Sequence, residues 1–142
     1  MKQNTFAGYN LNFPRKTASL SFSDYLSANA YNKLQIDLTN NIIWGSLTNE
    51  LDIQKKTSAI VQLNLWSNLI RSSNSAYSNN RNILNTDPLF VNKELEAFEL
   101  ATNSIARKKG ADLGTDPYFN YLVKDAKGDT RIYPSTLGSY EK

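Results

Sequence analysis

The stretches LQIDLTNNIIWGSL, from Leu34, and VQLNLWSNLIRSSN, from Val61, superimpose with a shift of 27 residues. Leu34 then falls on Val61, Ile36 on Leu63, Leu38 on Leu65, Asn41 on Asn68, Ile42 on Leu69, Ile43 on Ile70 and Ser46 on Ser73. Ahead of the Asn, apolar positions alternate with polar ones, the pattern of a strand with one buried face. A chain that repeats this pattern at a period in the twenties, without a long helical stripe, is expected to stack as a solenoid of β-coils. Corresponding strands then pair in parallel about 4.8 Å apart, and a one-residue slip would turn the buried face out to water. The Asn has to recur for a different reason. A buried turn needs its backbone groups satisfied, and an Asn amide can bond both the local backbone and the matching Asn of the next coil.

The pattern extends in both directions. Upstream, NTFAGY from Asn4 matches NIIWGS from Asn41 at an interval of 37, which adds Asn4 to the ladder. Of the extra residues, six fall between Asn4 and Leu20, in NLNFPRK, and four between Phe22 and Leu34, in YLSANAY. Both read as loop insertions. Downstream, a further step of 27 places Pro88 on Val61 and Phe90 on Leu63, so DPLFVN is expected to be the same strand one layer on. Residues 1–92 thus read as about three coils and 93–142 as a C-terminal segment of one all-β domain, with KELEAFEL either a short helix or the start of a strand. The last coil of a solenoid needs cover, and this tail is its expected cap. Because strand-like residues begin almost at Met1, the coils are expected to continue upstream in a longer protein. The first coil here is then expected to expose a β-edge prone to self-association.

Composition narrows the chemistry. With neither Cys nor His among 142 residues, disulfides, thiolate metal sites and Ser-His-Asp catalysis are excluded. A net charge of +3, spread thinly, does not point to nucleic acid. MKQNTFAGYN has no apolar run behind its lysine, so it is neither a signal peptide nor a membrane span. Eighteen Asn against eight Asp and five Glu favour turns and strands over helices. No metal or cofactor is implied.

Trp44 and Arg71 are equivalent positions on successive coils and are expected side by side on an outer face. There an indole can stack on a pyranose while a guanidinium grips a carboxylate, and the same two residues also fit a plain cation–π pair. Asp52, Lys55 and Lys56 combine a carboxylate with two amines, which suits either a lyase-like base and neutraliser or a solvated turn. DAKGD lacks the alternating oxygen ligands of a calcium loop, and reads as a turn centred on Gly128 and locked to Arg131 by Asp125 or Asp129. Glu94 and Glu96 would alternate on a strand or diverge on a helix, and neither arrangement makes a glycosidase pair.

NNIIWG, SNLIRSS and NTDPLFVN, followed by FELATNSIARKKGADLG and DAKGDTRIYPSTLGSYE, resemble the C-terminal coils and tail of right-handed parallel β-helix proteins of the pectate-lyase-like superfamily. The nearest type is the group of secreted or surface-attached bacterial proteins common in Bacteroidetes. Asp87, Pro88, Leu89, Phe90, Phe98, Leu100, Ser104 and Gly110 fit the pattern, as do Asp125, Gly128 and Arg131 in the turn and Gly138, Tyr140 and Glu141 at the end. SIARKKG lacks the family's Pro and Asp, and Thr136 stands where Asp is usual. The resemblance implies a right-handed parallel β-helix, an extracellular or cell-surface location, and a carbohydrate-binding or adhesive role without a complete active site. A fragment of a polysaccharide lyase or glycoside hydrolase, or a structural stalk, is the alternative. No catalytic residue carries over, because no catalytic motif of the family is matched.

Overall fold

The computed structural model describes residues 1–9, 14–27, 30–31, 33–55 and 60–141. In chain order its strands are β1 (Thr5–Gly8), β2 (Leu20–Ser23), β3 (Tyr25–Ser27), β4 (Ala30–Tyr31), β5 (Leu34–Thr39), β6 (Ile42–Gly45), β7 (Leu51–Gln54), β8 (Val61–Trp66), β9 (Leu69–Ile70), β10 (Ile83–Leu84), β11 (Phe90–Asn92) and β12 (Ala97–Leu100). A 3-10 turn at Ser75–Ser78 and a single-turn helix, α1 (Phe119–Leu122), complete them. The protein is all-β, and no helix among the described residues is long and apolar enough to cross a membrane.

The repeat read from the sequence is a set of parallel pairs. β1 lies beside β6, with Thr5 opposite Ile42; β2 beside β7, with Leu20 opposite Leu51; and β5 beside β8, with Leu34 opposite Val61. The offsets fall from 37 to 31 to 27, which locates the six and the four extra residues where the sequence placed them. The insertion of four is a small antiparallel hairpin in which the backbone of β3 at Tyr25 pairs with that of β4 at Tyr31; NLNFPRK lies partly outside the described residues. β9 and β10 extend β1 and β6 into a four-stranded parallel sheet in the order β1-β6-β9-β10.

Alternation accounts for the first core. Ile36, Leu38 and Leu65 point inward from β5 and β8 to meet Leu20, Leu51, Ile43 and Ile70. β6 behaves differently, since all four of its residues, IIWG, are buried. A strand buried on both faces reads as a continuous apolar run. Its second face, Ile42 and Trp44, joins Leu69, Leu100, Ala106 and Leu137 in a separate core.

That second core draws the C-terminal segment to a place the sequence does not announce. Its described contacts run along the flank of the four-stranded sheet, and Ile83 of β10 packs against the same core. The Asn40 side chain exchanges hydrogen bonds with the Ala111 backbone at 2.7 and 2.9 Å, Gly138 N–H donates to the Asn40 carbonyl at 2.8 Å, and Thr5 and Ser139 bond reciprocally. DPLFVN also departs from expectation. Phe90 pairs antiparallel with Leu100, and Asn92 with Ala97, instead of extending β8. Buried Pro88 has no amide to offer a ladder, and the chain has already completed a shorter pass by Asn82. KELEAFEL resolves into a turn at 93–96 and strand β12.

Gly138 marks the weld between tail and sheet. Its φ is 84°, and a Cβ there would lie 2.5 Å from Thr5 Oγ1 and 2.9 Å from Ile42 Cδ1. Gly138→Ala is expected to cost about 2 kcal/mol in urea denaturation. An unchanged midpoint would mean that the tail docks loosely.

Candidate functional site

Asn4, Asn41 and Asn68 form the expected line, and Asn82 adds a fourth rung. The side-chain oxygen of Asn41 accepts from Asn4 N and Nδ2 at 3.0 and 3.3 Å. That of Asn68 accepts from Asn41 N and Nδ2, both at 2.9 Å, and that of Asn82 from Asn68 N and Nδ2 at 2.8 and 3.0 Å. Each rung follows a residue in the left-handed region, Gln3, Asn40, Ser67 and Arg81, with φ between 51° and 63°. The turn therefore needs one residue that tolerates positive φ and one amide that serves two layers. Asn82 comes only 14 residues after Asn68, so a search at one fixed period passes over it.

Trp44 and Arg71 are brought together as expected, with the guanidinium carbon 5.4 Å from the ring centroid. Arg71 also donates to the Gly45 carbonyl. Trp44, however, is only 6% exposed, because its ring belongs to the second core and is roofed by Arg71. It is a seat for the guanidinium rather than a platform for a sugar.

The pair opens onto a cleft of about 490 Å³ lined also by Tyr9, Asn85, Asp87 and Lys93. The Lys93 ammonium sits 5.6 Å from the Tyr9 ring centroid, so both cations of the cleft ride on aromatic faces. Tyr9 is fixed in turn, stacked on Phe98 at 6.3 Å and edge-on to Phe90 at 6.1 Å. Burial, and then the charge of Asp87, push the Tyr9 phenol up to about 12. It is a hydrogen-bond donor at neutral pH. Asp87 accepts from the Leu89 amide at 2.7 Å, which orients its carboxylate. Sequence patterning offers no signal for Tyr9 or Lys93, since the cleft is assembled only when the β11–β12 turn folds against the sheet.

The DAKGD turn is present, with Gly128 at φ 88°. Its lock is Asp125, whose carboxylate accepts from the amides of Lys127, Asp129 and Glu141 at 2.8, 2.9 and 3.0 Å. Arg131 is drawn elsewhere: its guanidinium donates to the Gly138 and Thr136 carbonyls and pairs with Glu141. Asp52, half-buried on β7, accepts from Gln54 Nε2 at 2.6 Å, while Lys56 lies outside the described residues. Among the described residues no three acidic side chains converge as a metal site.

Glu50 is invisible to periodicity, yet it is fully buried and organises the opposite turn. Its carboxylate accepts from both Arg15 terminal nitrogens, from the Ser19 amide and hydroxyl, and from the Leu47 amide. Burial raises its pKa, but these donors together outweigh burial and hold it below the ordinary carboxylate value.

No family model, curated protein or solved structure matches the chain.

Proposed function

We propose that the stacked strand pairs are coils of a right-handed parallel β-helix, and that the chain serves as a non-catalytic recognition element for an acidic polysaccharide outside the cell or at its surface. The fold reading is supported by the unchanged strand order of successive passes and by the Asn rungs between them. Handedness follows from the general rule that about 98% of crossovers between parallel strands are right-handed. One observation carries the function: Arg71 and Lys93, each held over an aromatic ring, face one cleft together with the protonated Tyr9 phenol. Seated cations lose little side-chain freedom when a carboxylate arrives, and Asp87 and Asn85 supply acceptors for sugar hydroxyls.

The test is a calorimetric titration with oligogalacturonate and oligoalginate beside neutral oligosaccharides, with ultraviolet absorbance followed for unsaturated products. Uronates are expected to bind without forming product, and more weakly as salt screens the cations. Arg71→Ala or Lys93→Ala is expected to lose about tenfold or more in affinity. Unsaturated product would make the chain a lyase, and no uronate binding at low salt would end the reading.

A further inference from the structure

Six side chains point outward from β5 and β8: Gln35, Asp37 and Thr39, opposite Gln62, Asn64 and Trp66 respectively. Trp66 stands out among them, since it is a large indole left 47% exposed on an otherwise polar row. The inner face of the same strands is filled with Ile36, Leu38 and Leu65, so Trp66 is not a misplaced core residue. Beside it the polar groups are held in place. Asn64 Nδ2 donates to one oxygen of Asp37 at 2.6 Å, and Gln35 Nε2 to the other at 3.2 Å. The Asn64 bond, first among several influences, holds the Asp37 carboxyl below its ordinary range, so it is an ionised acceptor. Asp37 also shares a shallow hollow of about 350 Å³ with Tyr118, which is 64% exposed. Lys2 continues the row through its bridge to Thr39, but its ammonium is paired with Asp116 and lies over the Tyr118 ring.

We propose that the outward face of β5 and β8 is a second glycan site, for a neutral, hydroxyl-rich oligosaccharide that stacks on Trp66 and gives hydroxyl hydrogen bonds to Asp37. This site does not depend on the cleft at Arg71. Stacking needs an accessible flat ring, which Trp66 has and Trp44 lacks. A fixed carboxylate between planar amides suits hydroxyl donors. The six outward side chains carry one negative and no positive charge, and of the two cations beside them Lys2 is paired with Asp116 while the Met1 ammonium donates to the Asp37 carbonyl, which disfavours uronates. They are also too polar for the centre of a protein interface, where charged residues are depleted.

The two tryptophans make the test direct, because only Trp66 is open to a quencher. Cellohexaose, xylohexaose and mannohexaose are each titrated while acrylamide quenching of the intrinsic fluorescence is followed. At least one is expected to shield Trp66 at millimolar concentration. Asp37→Asn is expected to weaken that sugar about tenfold by calorimetry, and Trp66→Ala to remove the quenchable component and the binding together. Both residues are exposed, so each variant is expected to keep a cooperative thermal melt. Arg71→Ala should leave this binding untouched, which separates failure here from failure at the cleft. Absence of shielding by all three sugars up to about 10 mM, where affinity is too weak to signify recognition, overturns the proposal. So does equal shielding by oligogalacturonate, or shielding that rises with protein concentration alone, which assigns the face to a second copy of the chain.

Discussion

Asn68→Ala is expected to remove about 4 kcal/mol of stability, enough to bring the domain close to unfolding. Asn68 is fully buried and makes four side-chain bonds: its oxygen accepts from Asn41 N and Nδ2, and its nitrogen donates to the Leu38 carbonyl and to Asn82. Truncation strands the Asn41 amide away from water, at about 1–3 kcal/mol, takes a further bond from the Leu38 carbonyl and from Asn82, and leaves a small cavity as well. Asn4 is the internal control. Its side-chain bonds among the described residues are donations, to Asn41 and to the Lys2 carbonyl, and its backbone amide still reaches Asn41 after truncation. Asn4→Ala should therefore cost about 1 kcal/mol. Urea denaturation followed by circular dichroism measures both. Equal losses would show that the rungs act singly rather than as a ladder.

The difference between those two positions also shows how much of the molecule the sequence discloses. Periodicity finds β5, β6, β8 and β9 and their register, because a buried face tolerates no slip and so leaves its mark at every second residue. It locates the inserted hairpin by subtraction. It misses Asn82 because the third pass is cut short, and it misplaces Phe90 because an apolar residue at the right interval satisfies the pattern whether its partner strand runs parallel or antiparallel. Trp44 and Arg71 are legible as neighbours, since register puts them there, but exposure is not. Whether an aromatic ring is a platform or a floor depends on what the tail covers. The tail docks through contacts such as Asn40 with Ala111, 71 residues apart and without any repeat to announce them.

Arg15→Met is expected to destabilise the domain by about 3–5 kcal/mol at neutral pH, with a deficit that narrows in acid. Glu50 has no exposed surface, and among the described residues Arg15 is its only charged partner in the hydrogen-bonded cluster at this turn. The surroundings are built around the pair. A Cβ at Gly45 would lie 2.2 Å from Glu50 Oε1, and one at Gly8 would lie 2.0 Å from Ser19 Oγ and 2.1 Å from Arg15 Nη1, so neither glycine can give the cluster room. In the wild type the folded pKa of Glu50 lies below its ordinary value of 4.5. The unfolded chain then binds more protons in acid, so this contribution to stability is full above about pH 4.5 and lost as pH falls through the folded value. Asp37, Asp116 and Asp125 are lowered too and add to the same loss, which makes the difference between variant and wild type the informative quantity. Without Arg15, the upward push of burial meets only the Ser19 and Leu47 donors, and the folded pKa should move above 4.5. The variant's deficit should then shrink as pH is lowered toward 4, because a protonated Glu50 no longer needs a cation. Denaturation midpoints of both proteins from pH 7 to pH 4 measure this. A deficit that stays constant would mean that Arg15 contributes packing and the Gly8 carbonyl bond rather than charge.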